Sequence, residues 1–428
     1  MKQYDSYKDS GVQWIGRIPS HWEVCRFKDF VELRTESSNS NVKIGLENIE
    51  GKTGRFIETD SEFEGNGIAF ENNDIVYGKL RPYLQKVWLA SFPGNAIGDF
   101  FVFRTKVNCL PQFLFLLMLS DGFTSECNGA TLGAKMPRVS SDFILSLRYF
   151  LPPISEQQAI ATYLDQKCAE IDKAIATQQK RIELLQELRQ NIITHAVTRG
   201  INPDAPLKDS GVEWIGMVPE HWEVMKMKLV CKVITDYVAS GSFADLKKNV
   251  EYLDSPDYAM LVRTADLSNK NKDIQRVYVS KSSYDFLANS NLFGGEIILP
   301  NIGASIGDVY MVPNDLYDKM TLAPNSIMVK TKYCDLFYYY YFCSICGRKS
   351  LELIGMAAAQ GKFNKTELRQ MRVLVPPSSE QQNIIKYIEQ HIAPICQSIE
   401  KTEHQISLLQ ELKQSIITEV VTGKRKVC

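Results

Sequence analysis

Two histidines stand beside tryptophans at matching places in the chain, His21-Trp22 and His221-Trp222. A histidine moves protons near neutral pH, but catalysis also needs a nucleophile or a carboxylate held within reach. No recognisable set of nucleophile, base and orienting acid surrounds either histidine in the sequence, so packing of duplicated aromatic anchors is the expected role. Cys343 and Cys346 form a Cys-x-x-Cys inside the aromatic run Phe337–Phe342. Zinc needs a second ligand pair, and the sequence offers none, so core packing without metal is expected. The stretch from Gly355 to Gly361-Lys362-Phe363 is one residue too long for a phosphate loop, and phenylalanine cannot ligate magnesium. No Gly-x-Gly-x-x-Gly follows a strand-like run. The Asn/Asp-Pro-Pro-aromatic signature of amino-methyltransferases and a nuclease-type cluster of acids with a lysine are also missing from the sequence. The chain is expected to bind rather than to catalyse.

The elements that would position a binding surface are written twice. Asp9-Ser10-Gly11-Val12-Gln13-Trp14-Ile15-Gly16, followed by Pro19 and His21-Trp22-Glu23-Val24, returns as Asp209–Gly216, Pro219 and His221–Val224. A second segment, Ser155-Glu156-Gln157-Gln158 through Leu184–Leu188 to Ile192-Ile193-Thr194, returns as Ser379–Thr418. The stretches between, Cys25–Phe150 and Met225–Leu374, are largely unalike. Even so, Asp74–Val87 aligns without gaps onto Glu296–Val309, and Arg104-Thr105-Lys106 onto Lys330-Thr331-Lys332. Each insert is therefore expected to be one copy of an α+β domain whose loops diverged. Duplicated supports around divergent inserts suit two different surfaces on one pseudo-two-fold frame, and so a bipartite target. On that symmetry the end of the second helix, near Thr422, should lie close to the first head, Asp9–Val24.

The second repeat predicts a long helix. Pro152-Pro153 and Pro376-Pro377 stop what precedes it, and Ser155 with Gln158, like Ser379 with Gln382, fits a capping box. Apolar positions then recur at spacings of three and four. The first seam is Leu164, Cys168, Ile171, Ile175, Gln178, Ile182, Leu185, Arg189, Ile192 and Ala196. The second is Ile388, Ile392, Ile395, Ile399, Thr402, Ile406, Leu409, Lys413, Ile416 and Val420. Two matched seams pack most simply as an antiparallel coiled coil, with Ile171, Ile175, Ile182 and Leu185 against Ile395, Ile399, Ile406 and Leu409. A second row, Leu184, Leu188 and Ile193 with Leu408, Leu412 and Ile417, would cover a neighbouring domain or bind another protein. Pro394 predicts a break between a short capping helix and the long one.

The chain has 428 residues, 44% hydrophobic and 23% charged, which is the balance of a folded chain of two or more domains. No apolar run approaches the roughly 20 residues of a membrane span, and Met1–Asp5 lacks a signal-peptide core, so a cytoplasmic protein is expected. Its ten cysteines are then expected to be reduced, buried thiols.

With these motifs the chain resembles the specificity subunits of type I restriction–modification systems. The resemblance rests on Gly-Val-x-Trp-Ile-Gly…Pro-x-His-Trp before each variable domain. It rests equally on Pro-Pro-x-x-Glu-Gln-Gln opening each helix and Leu-Leu-Gln-Glu-Leu…Ile-Ile-Thr closing it. It implies two α/β target-recognition domains, at 1–152 and 201–376, held apart by spacer helices at 153–200 and 377–428. Each domain would read one half of a split double-stranded DNA site. The implied partners are two methyltransferase (modification) subunits carrying S-adenosylmethionine, and restriction subunits supplying ATP- and magnesium-dependent translocation and cleavage. No cofactor is implied for this chain. A specificity module of another DNA-modifying assembly and a coiled-coil protein-binding scaffold remain the alternatives.

DNA affinity comes largely from Lys and Arg at phosphates. Cys25–Phe150 carries 14 basic against 15 acidic residues, and Met225–Val375 carries 19 against 15, so the first domain needs a local patch. The best candidates there are Lys79, Arg81 and Tyr83, in a turn after a strand-like run, and Lys135 and Arg138 in a later loop. In the second domain the matching turn is Asn301–Ser305, with Asn301 and Ser305 suited to hydrogen bonding. Its later loop, Gln360–Lys365, supplies Lys362, Asn364 and Lys365. These residue types read base edges, but they contact phosphates as readily.

Overall fold

The computed structural model describes residues 3–12, 14–38, 40–133, 135–268, 274–356 and 361–427, with backbone alone at 239 and 243. Gln13 of the first head and Gln360 of the late loop lie outside the described residues. The chain divides into two compact units, Met1–Lys180 with Thr402–Cys428, and Arg181–Lys401.

In the first unit the head forms a hairpin, Tyr7–Asp9 against Arg17–Pro19. Its tight return uses Gly16 at φ +68°, a left-handed conformation that a β-carbon disfavours. The insert then builds an antiparallel four-stranded sheet in the order Val31–Arg34, Phe100–Thr105, Ile75–Gly78, Val87–Leu89. Ile75, Val76 and Tyr77 are all buried, as a strand covered on both faces requires. A smaller sheet orders Ser37–Ser38, Gly67–Phe70, Gly94–Ala96 and Lys43–Ile44. Strand Arg148–Leu151 then returns to pair with Glu23–Arg26 beside the head. Phe27, Phe103, Phe123 and Tyr149 meet edge to face or tilted at 5.7–5.9 Å in the core between head and insert.

The second unit repeats this plan. Its main sheet runs Cys231–Asp236, Ser326–Thr331, Ile297–Pro300, Tyr310–Met311, and Glu223–Lys226 pairs with Arg372–Val375. The faint alignment between the inserts proves to be structural. Arg104 Nε donates to the buried Asp74 carboxylate at 2.8 Å, and Lys330 Nζ stands 3.4 Å from Glu296 at the same place in the second sheet. The short acid with the longer base became the longer acid with the shorter base, and the ion pair survived.

Two long helices, Ile154–Arg199 and Ser378–Val421, each contribute to both units. In the first unit Ile160, Leu164 and Ile171 share a core with Ile417, Val420 and Val421. Lys413 Nζ also donates to Asp172 at 2.8 Å there. In the second unit Ile193, Ala196 and Val197 share a core with Ile384, Ile385 and Ile388. In each unit the start of one helix lies beside the end of the other, which is antiparallel pairing. Ile171 and Ile395 are buried, while Ile175, Ile182, Leu185, Ile399, Ile406 and Leu409 are half-buried. Leu184, Leu188, Leu408 and Leu412 stay about half exposed, whereas Ile193 and Ile417 of that second row enter the cores. No described helix is long and apolar enough to cross a membrane.

Three local expectations are corrected or sharpened. The capping boxes at Ser155 and Ser379 do not form, because each helix begins one proline earlier. The Pro153 carbonyl accepts from the Glu156 and Gln157 N–H groups at 2.9 Å, and Pro377 does the same for Glu380 and Gln381. A proline fits there because the residue before the first turn needs no N–H of its own. Pro394 does not break the second helix, which runs unbroken through it. Pro394 and Gln390, whose carbonyl loses its helical partner, both face solvent, and water can satisfy that carbonyl. The expected meeting of the second helix with the first head is present. A β-carbon on Gly423 would come within 2.9 Å of Pro19 and Trp22, and Lys426 lies over the Tyr4 ring at 5.5 Å. Gly200, at the end of the first long helix, meets Pro219 and Trp222 in the same way.

Candidate nucleic-acid interface

The duplicated His-Trp pairs are tied to the long helices by a carboxylate. Trp22 Nε1 donates to Glu156 at 2.9 Å, and His21 Nε2 lies 2.5 Å from the same carboxylate. Trp222 and His221 meet Glu380 at 3.0 and 2.8 Å. The adjacent glutamines complete the joint. Buried Gln157 donates to the Pro152 and Asn108 carbonyls and accepts from the Leu110 N–H, and Gln381 bonds Pro376 and Cys334 likewise. Packing is the role of Trp22 and Trp222, which are fully buried, whereas His21 and His221 are exposed and brace the joint through the Glu156 and Glu380 carboxylates. The carboxylate partner escaped the sequence reading because it belongs to the helix repeat, 135 residues from His21 and 159 from His221. The signal was the Glu-Gln-Gln shared by both helix openings.

Cys343 and Cys346 end one helix and open the next, and burial pushes the Cys343 thiol up to about 11. The Cys346 thiol donates to the Trp214 carbonyl. Among the described residues no group of three or more His, Cys, Asp or Glu is arranged to hold a metal ion.

The loops singled out from sequence come together in pairs. In the first unit the turn after strand Ile75–Gly78 is clasped by the loop that carries Lys135 and Arg138. The Arg81 N–H donates to the Pro137 carbonyl at 2.8 Å, and the Val139 N–H donates to the Lys79 carbonyl at 3.2 Å. Leu80 and Arg138 form a β-bridge between these bonds. The second unit repeats the clasp after strand Ile297–Pro300. Gly303 N–H donates to Gly361, Phe363 N–H donates to Asn301, each at 3.1 Å, and Ile302 bridges Lys362. Four separate sequence segments thus make two equivalent structures.

Within the clasps the side chains divide by what they touch. Arg138 places Nε and Nη2 on the two oxygens of Asp99, each at 2.9 Å, and Lys79 Nζ stands 3.9 Å from that carboxylate. The hydrogen bonds from Arg138, then its charge and that of Lys79, hold the Asp99 carboxyl below its ordinary range against the opposing effect of burial. Buried Asn301 donates to the Phe363 carbonyl at 2.8 Å. Asn364 caps the helix Lys365–Gln370 by accepting from Thr366 and Glu367, and Lys365 Nζ donates to Asp236 at 2.7 Å. These four side chains, Arg138, Asn301, Asn364 and Lys365, hold the clasps in shape. Arg81, Tyr83 and Lys135 in the first, and Ser305 and Lys362 in the second, are exposed to solvent. Each clasp is a loop pair tied by backbone hydrogen bonds and displaying polar or cationic groups, a form suited to meeting a charged polymer.

Two such domains, each joined to paired helices by a duplicated head, define a two-headed recognition chain. Residues 19–186 and 219–408 each match the family described as type I restriction modification DNA specificity domain. The chain is 26% identical to the putative type I restriction enzyme MjaX specificity subunit of Methanocaldococcus jannaschii, over 96% of each chain. It is 24% identical to the MjaVIII specificity subunit of the same organism, over 96% of this chain and 94% of that one. A solved structure reported for complex assembly and conformational transition of the type I restriction–modification system shares the fold. Its TM-score is 0.68 at 16% identity, covering 94% of this chain and 98% of that one. The chain belongs to the type I restriction–modification DNA specificity family. It is a DNA-recognition component without catalytic function of its own, and its two specificity domains fit a bipartite site.

Proposed function

We propose that the two clasps are the DNA-reading faces, the first domain (1–152) meeting one half-site and the second (201–376) the other. The observation that carries this reading is the duplication of the clasp itself. The same backbone bonds recur in both units, while the exposed residues of the turn differ, Arg81 and Tyr83 in the first against Gly303 and Ser305 in the second. A fixed support with variable contacts is what two different half-sites demand. On this reading Lys135 and Lys362 are phosphate contacts, and Arg81, Tyr83 and Ser305 lie where base edges would be met. Arg138, Asn301, Asn364 and Lys365 act indirectly by fixing loop shape. With one acid in excess over the first insert, phosphate affinity there depends on the local patch and on partners. Those partners are two modification subunits bearing S-adenosylmethionine and restriction subunits using ATP and magnesium, assembled in the cytosol.

The test is duplex binding by the full chain with its modification subunit across a range of salt concentrations. Lys135→Ala and Lys362→Ala should each weaken binding to all sequences alike and lower the slope of log affinity against log salt by about 1. An unchanged slope in both variants would place the DNA face elsewhere.

A further inference from the structure

Arg81 sits where its backbone costs something. Its φ is +51° and that of Gln85 is +49°, both in the left-handed region that a β-carbon disfavours. The second domain has glycine at both corresponding positions, Gly303 at +68° and Gly307 at +97°. A β-carbon on Gly303 would meet nothing within 4 Å, so glycine is there for its conformation and not for lack of room. The turn therefore asks for a left-handed residue in both domains, and the first domain uses side chains regardless. For Gln85 the reason is visible, since its buried amide donates to Asp121 and Thr124 at 3.2 and 3.0 Å. For Arg81 nothing inside the fold accounts for it. The side chain is exposed, and the guanidinium has no hydrogen-bond or ion-pair partner among the described residues. Strain kept at an exposed, unpartnered side chain points to a task outside the protein.

The form of the site narrows that task. The Arg81 N–H is tied to Pro137, its carbonyl accepts from Leu84 at 2.9 Å, and buried Pro82 follows it. The direction of its Cα–Cβ bond is therefore fixed. A phosphate accepts a cation over a range of approaches, forked or single, which Lys135 can supply on an ordinary backbone. A fixed arginine fork instead suits two acceptors at set positions, and the O6 and N7 atoms on the major-groove edge of guanine are such a pair.

We propose that Arg81 is the specificity-determining residue of the first domain, reading one guanine of its half-site through O6 and N7, with no counterpart contact from Gly303 in the second domain. This rests on the clasp being the DNA face. The test compares the full chain with Arg81→Gly, Arg81→Ala and Arg81→Lys, each with the modification subunits. The readouts are thermal unfolding, affinity, and the sequence selected from duplexes randomised in both half-sites. Arg81→Gly should melt no lower than the parent. Arg81→Gly and Arg81→Ala should lose preference for one G·C pair in one half-site only, with about 10- to 100-fold weaker binding to the parent site, and Arg81→Lys should retain that preference only in part. Replacing that guanine by 7-deazaguanine should weaken the parent protein but not Arg81→Ala. If Arg81→Ala and Arg81→Gly keep the full preference while weakening all sequences equally, Arg81 is a phosphate contact and the proposal falls while the clasp stands. If no Arg81 variant alters affinity or sequence, and Lys135→Ala also leaves the salt slope unchanged, the proposal and the clasp reading fall together.

Discussion

Expressed alone, residues 1–200 should form a dimer that reads an inverted repeat of the first half-site. The first unit is completed by Thr402–Cys428, which such a chain lacks. Ile417, Val420 and Val421 would be missing from its core, where they are 1%, 0% and 0% exposed. Burying a side chain of that size contributes roughly 1.5–3 kcal/mol, so the loss is on the order of 5–9 kcal/mol. Domains are stable by only about 5–15 kcal/mol. A second copy can fill the gap, because Ile193, Ala196 and Val197 stand at the matching places of the repeat and already pack in this manner in the second unit. Each copy would then lend the end of its helix to the other, with Ile171, Ile175, Ile182 and Leu185 forming a seam against themselves. Light scattering should report twice the chain mass. With modification subunits present, methylation should fall on a palindrome. A monomer with the parent fold would contradict the paired-helix account.

Replacing Trp22 by Ala should be the most damaging single change in the first unit. The side chain is fully buried, stacks on Phe150 at 5.3 Å, and donates to Glu156. Removing a buried tryptophan costs roughly 3–5 kcal/mol, and here it also leaves Glu156 without one of its two donors. For a domain of this size each kcal/mol shifts melting by about 2–4 °C, so the first unit should melt roughly 6–20 °C lower. Hydrogen exchange should show the loss first in strand Arg148–Leu151, which pairs with Glu23–Arg26 beside the tryptophan. Strand Arg372–Val375 of the second unit should keep its protection, and Trp222→Ala should reverse the pattern. Equal loss of protection in both strands would show that the head does not act within its own unit.

Much of this was legible in the sequence because duplication makes weak signals add. The heptad seam, the paired heads and the equivalence of Asp74 with Glu296 and of Arg104 with Lys330 could be read by laying one half on the other, but not that these acids and bases pair. What escaped was chemistry that joins one repeat element to another. Glu156 binds His21 and Trp22 across an insert whose length differs between copies, so spacing hid it. The helix starts were misplaced by the serines, since a proline carbonyl does the same work without a side chain. Pro394 was over-read, because an exposed carbonyl can turn to water. Among the candidate DNA residues, a turn and a later loop could be picked out in each domain, but not that the two clasp each other, nor which side chains are spent inside. Arg138 on Asp99 and Lys365 on Asp236 depend on acids far away in the chain.

The central claim is that each domain independently determines one half of the recognised site. It is tested most directly by exchanging residues 25–150 for the corresponding insert of a relative with a different site, leaving both heads and both long helices unchanged. Methylated sequences are then mapped genome-wide in cells that also carry the modification subunit. One half of the methylated motif should change to that of the relative, while the other half and the spacer between them stay as before. A change in both halves, or an unaltered motif, would contradict the account.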